Sequence, residues 1–151
     1  MDTKMLNQMA AGATLHCITG CAIGEIVGLI VGTIAGLDNF QTIILATGLA
    51  FLFGYSLSTL PLVKSGMTLK AALSIVLLAD TLSIATMEVV DNLVMAVIPG
   101  AMNAGLVNPI FWMSMMISLT VAFFAAFPVN RFLLSRGKGH ALIHQHHHEE
   151  H

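Results

Sequence analysis

Four long apolar runs, parted by short polar breaks, set the pattern of this chain. The first covers roughly residues 15–36 and is closed by Leu37-Asp38-Asn39-Phe40. The second covers 42–63, ending in Leu60-Pro61 and a Lys64-Ser65-Gly66 turn. The third runs over 69–98 until Pro99-Gly100 stops it, and the fourth over 106–127 until Pro128. A helix of about 20 apolar residues crosses a bilayer, so each run predicts one membrane span. The third is longer than a span needs, so it must tilt, bend or protrude. The expected fold is an all-α integral membrane four-helix bundle, preceded in the chain by a polar segment, residues 1–14, and followed by an interfacial segment and His-rich tail, residues 129–151.

Within the first run glycine recurs every fourth residue, at Gly20, Gly24, Gly28, Gly32 and Gly36. Residues four apart share a helix face, so these glycines form a groove without side chains where another helix backbone approaches closely. The same groove predicts a homo-oligomer built through glycine-lined contacts. Residues 1–14 read as polar and weakly helical, with Met1, Met5 and Met9 on one face, a spacing expected of ordinary apolar contact with the membrane surface or bundle.

Composition places the lipid bilayer as the main partner. The chain has 151 residues, 56% hydrophobic and 9% charged, with a mean hydropathy of +0.85. Soluble domains carry about 25% charged residues. The net charge of −2 says nothing about nucleic acid, but there is no basic patch to suggest it, and nucleic acid is not an expected partner. All the Lys and Arg residues (Lys4, Lys64, Lys70, Arg131, Arg136, Lys138) fall on one side of a four-span arrangement. By the positive-inside rule both termini are then cytoplasmic.

The chemistry is concentrated on two spans. Beside the glycines, Cys17, Cys21 and Glu25 keep one face, with His16 at the opening. On the third span Asp80, Met87, Asp91 and Met95 share a face, Glu88 sits on its shoulder, and Asn92 adjoins. No Lys or Arg lies in a span core, so these carboxylates must be protonated, hydrogen-bonded, hydrated or bound to a cation. Taken singly, each cysteine reads as a small apolar residue, and His16 as an interfacial one. Taken together, His16, Cys17, Cys21, Glu25, Glu88 and Asp91 are expected to ligate a transition metal. The thiols and imidazole favour Cu or Zn, with Asp80, Met87 and Asn92 in support. No nucleophile–base pair or phosphate loop stands out, and an enzyme is not expected. The cysteines, one helical turn apart, are expected to be reduced.

The last residues, HALIHQHHHEEH, follow Arg136-Gly-Lys138-Gly and contain His140, His144, His146, His147, His148 and His151. A His-rich tract reads as metal capture. The interleaved Gln and Glu distinguish it from an expression tag. On the cytoplasmic side it would hold metal near the His16–Cys17 mouth.

The motifs HC-x3-C-x3-E, MEVVDN and PVNRFLLSRGKGHA resemble an uncharacterised prokaryotic family of small four-span membrane proteins, a domain of unknown function, over roughly residues 14–141. The resemblance implies a fold and a prokaryotic inner or cell membrane location, and no activity. The function expected from the residues is binding or translocation of a transition-metal cation, proton-coupled through the intramembrane carboxylates. The alternatives are a proton-coupled exporter of small organic cations and a non-transport structural or redox subunit.

Overall fold

A computed structural model describes residues 2–136. Among them are four helices and no strand: α1 (Thr3–Ala35), α2 (Asn39–Lys64), α3 (Leu69–Val97) and α4 (Pro109–Ser135). Each is long and apolar enough to cross a membrane. Large apolar side chains cover the outside, with Ile34 82% and Leu78 78% exposed. Such a surface suits lipid, where helices satisfy their own backbone groups.

Local signals set the helix ends. Gly36, at φ 71°, closes α1 in the left-handed conformation that a side chain would strain. Asp38 and Gln41 then form a reciprocal capping box that starts α2. The Thr68 hydroxyl accepts from the Ala71 N–H at the start of α3. Asn108 caps α4, whose first residue is Pro109.

Two ends differ from the apolar pattern. α1 begins at Thr3, ahead of the apolar run, and α4 passes through Pro128 to Ser135. The two extensions support each other. Ala10 packs against Leu134, Asn130 Nδ2 donates to Thr14 Oγ1 at 2.9 Å, and Arg131 Nε donates to Asn7 Oδ1 at 2.7 Å. Proline is tolerated within a membrane helix where neighbouring groups re-satisfy the freed backbone.

The helices run up and down in ring order, and α1 also meets α3 across the middle. On its α2 side, α1 packs through glycine. A Cβ on Gly20 would lie 2.8 Å from Gly54 Cα, and one on Gly28 2.6 Å from Ala46 Cα. One on Gly24 would overlap the Ala50 backbone, and one on Gly32 would meet Thr42 Oγ1 at 2.7 Å. The partner stripe is thus Thr42, Ala46, Ala50 and Gly54, also spaced by four. The groove is filled by α2 of the same chain, and Gly36 belongs to the helix cap. The central core draws on all four helices: Cys17, Cys21, Ala50, Ile84, Met87, Ala122 and Ala126.

Candidate functional site

The face of α1 beside the glycine stripe meets the acidic face of α3, and the two helices run in the same direction. Their polar side chains pair in successive layers. Asp80 lies beside Ser58 and within electrostatic reach of His16. One turn on, the Cys17 thiol adjoins Ser83. Next, Cys21 adjoins Glu88, and Glu25 then meets Asp91, with Glu88 also near. From Cys17 to Glu25 this column spans about 12 Å of helix at 1.5 Å per residue.

α2 contributes to the third layer. Thr47 Oγ1 donates to Glu88 Oε2 at 3.1 Å. Asn92 Nδ2 donates to the Glu88 backbone carbonyl at 2.8 Å, so Asn92 braces the helix here. Glu88 and Asp91 are each 4% exposed. Yet Glu88 Oε1 and Asp91 Oδ1 make no hydrogen bond among the described residues. A buried acceptor without a partner costs free energy, roughly 1–3 kcal/mol, unless a proton, water or cation meets it.

Both acids face a cavity of about 210 Å³. Glu25, Thr47 and Asn92 complete its polar floor, and Leu29, Ile43, Met95 and Phe111 form apolar walls. It lies toward the end where the α1–α2 turn meets the α3–α4 connection. There Asn39 Nδ2 donates to Asn103 Oδ1 at 2.7 Å, tying the two loops together.

The sequence-derived site residues therefore separate into two groups. Glu25, Glu88, Asp91 and Asn92 share the cavity. His16, Cys17, Cys21, Asp80 and Met87 do not line it. Cys17 and Cys21 are buried free thiols within the core, as Met87 is within that core. Among the described residues no three His, Cys, Asp or Glu side chains form a group suited to a metal ion. The expectations placed on His140, His144, His146, His147, His148 and His151 lie outside the described residues. Sequence reasoning passed over Thr47, Ser58 and Ser83, because single hydroxyls are common on membrane helices and usually bond their own backbone.

A family model for a domain of unknown function, DUF4396, matches residues 6–139. The chain belongs to the DUF4396 family. The match takes in every layer of the α1–α3 column and the whole cavity, so the candidate site of this DUF4396 chain lies wholly inside the family domain. Nothing among the curated proteins or the solved structures matches the chain.

Proposed function

We propose that this is a multi-pass protein of a prokaryotic cell membrane that binds a cation at Glu25, Glu88 and Asp91 and exchanges it for protons across the bilayer. The observation that carries the reading is a pair of carboxylate oxygens, Glu88 Oε1 and Asp91 Oδ1, unpartnered among the described residues, on acids that line an open cavity. The described residues lining that cavity include three acids and no Lys, Arg or His. A bound cation and bound protons are then alternative ways to neutralise the same acids, which is what coupling requires.

The cavity shape favours a small organic cation as cargo. Its volume is several times the roughly 30 Å³ of a water molecule, and its walls are apolar. Cys21 beside Glu88 supports a second reading, a transition metal such as Zn, whose sulfur and oxygen donors would have to draw together on binding, since no three of them are grouped for a metal among the described residues. The orientation with both termini cytoplasmic is supported by Lys4, Lys64, Lys70, Arg131 and Arg136 falling at one end of the bundle.

The test is equilibrium binding of tetraethylammonium to detergent-purified full chain, with proton release followed in parallel and metal content measured on the same sample. The parent binds and releases protons. Glu88→Gln, which keeps size and an acceptor for Thr47, loses at least roughly tenfold in affinity, the loss of one charge-assisted contact. Stoichiometric Zn that disappears in Glu88→Gln, without organic-cation binding, selects the metal reading. A folded Glu88→Gln protein with parental binding of both probes removes the cation reading and leaves a packing role.

A further inference from the structure

The cavity leaves the first two layers of the α1–α3 column without a use. Asp80 is 1% exposed and Ser83 fully buried. Ser58 and Ser83 hydroxyl oxygens make no hydrogen bond among the described residues, although Ser58 adjoins Asp80 and Ser83 adjoins the Cys17 thiol. Membrane-helix serines ordinarily bond back to the preceding turn, as Ser56 does to the Leu52 carbonyl at 2.7 Å. Two buried serines free of that bond, next to a buried acid, are held ready to donate to it or accept from it.

We propose that Asp80, with His16, Ser58 and Ser83, forms a second proton-binding station nearer the Lys64 end of the bundle, separate from the cavity and filled through His16. The titratable groups facing Asp80 are His16 and Cys17 from α1. From α2 it meets Ser58, while the Tyr55 hydroxyl is hydrogen-bonded to Thr81 at 2.7 Å. The described titratable side chain of α4, Arg131, is engaged with Asn7. Asp80 has almost no surface of its own, whereas His16 is half-buried. Protons therefore reach it through the imidazole. In the filling step an imidazolium N–H bond breaks and a carboxyl O–H bond forms. The imidazole is left neutral, to be reprotonated from water. The Ser58 hydroxyl beside Asp80 can donate to the carboxylate or accept from the protonated carboxyl group.

The station needs no cargo, so its test is independent of the cation reading. Infrared difference spectra of the purified full chain are recorded across a pH series and after transfer to D₂O. The expected result is a carboxyl band that responds to both, is absent in Asp80→Asn and is shifted in frequency in Asp80→Glu. His16→Gln keeps that band and slows its deuterium exchange by roughly tenfold or more, the low end of what a positioned acid–base group contributes. A pH-responsive band set identical in Asp80→Asn and parent would overturn the proposal. So would parental exchange in His16→Gln. Should Asp80→Asn fail to fold, Asp80→Glu identifies the band by itself, and an unshifted band overturns the station.

Discussion

One helix, α1, serves two interfaces that have almost nothing in common. Toward α2 it offers Gly20, Gly24, Gly28 and Gly32, and the two backbones meet with no room for a methyl group. Toward α3, one or a few residues away on the same turns, it offers His16, Cys17, Cys21 and Glu25 against a row of acids and hydroxyls. The first interface holds by shape and van der Waals contact, since lipid gives helices no hydrophobic reason to associate. The second is poorly satisfied, with Ser83 Oγ, Glu88 Oε1 and Asp91 Oδ1 making no hydrogen bond among the described residues. The difference shows a division of labour. Close packing on one side stabilises a helix whose other side carries groups that are costly to bury.

The largest effect is expected at the glycine side. Gly24→Leu places a side chain where even a Cβ overlaps the Ala50 backbone, so α1 and α2 must separate. The cost exceeds the roughly 1–3 kcal/mol of ordinary overpacking, because backbone rather than a side-chain tip is in the way. Loss of folded protein on expression and of cooperative melting by circular dichroism is the expected outcome. A Gly24→Leu protein that melts with the parent would mean the interface is not the framework of the bundle.

A smaller effect sharpens the polar side. Thr47→Val keeps volume but removes the donor to Glu88 Oε2, in a buried carboxyl group whose Oε1 already makes no hydrogen bond among the described residues. The expected loss is about 1–3 kcal/mol. In Glu88→Leu the same Thr47→Val change should be nearly neutral, since the group it deprives is gone. Thermal melts of the four proteins give the coupling directly. Equal losses in both backgrounds would show that Thr47 acts through packing.

How much of this was readable beforehand follows from the physics of each feature. The four helices were legible, because a run of apolar residues long enough to span lipid has few alternative structures. That α1 and α4 continue unbroken past those runs was not, although residues 1–14 read as weakly helical. Residues 3–14 and 129–135 lack a long apolar run, and they are helical because Ala10, Thr14, Asn130 and Leu134 pack on one another across the chain. The glycine stripe was visible, but its filling depends on Thr42, Ala46, Ala50 and Gly54, which repeat the same spacing on α2 and are uncharged residues of no special mark. Glu25, Glu88 and Asp91 stood out through charge alone. Their joint position on a cavity depends on the register of α1 against α3, which periodicity within one helix does not contain. Thr47, Ser58 and Ser83 carry no charge, and only the structure distinguishes them from serines and threonines that bond their own helix.

The smallest effect has the opposite sign and tests whether α1 has a third interface. Gly12 lies in α1 ahead of the glycine stripe, is exposed, and a Cβ there meets nothing within 4 Å among the described residues. Its φ is an ordinary helical one, since the positive-φ residues are Gly36, Gly66 and Gly100. Glycine within a helix costs roughly 0.5–1 kcal/mol relative to alanine through the freedom it loses on folding. Gly12→Ala should therefore stabilise the protein by about that amount, seen as a small rise in melting temperature, where the same change at Gly24 is destabilising. The sign carries the information. A gain means this face of α1 meets only solvent or mobile lipid, so that the close-packing glycines are confined to the α2 side. A loss means that a second surface, such as another copy of the chain, sits on Gly12 as closely as Ala50 sits on Gly24. The contrast between the two sides of α1 would then be incomplete, and sedimentation of parent and Gly12→Ala in detergent would show the assembly the substitution had weakened.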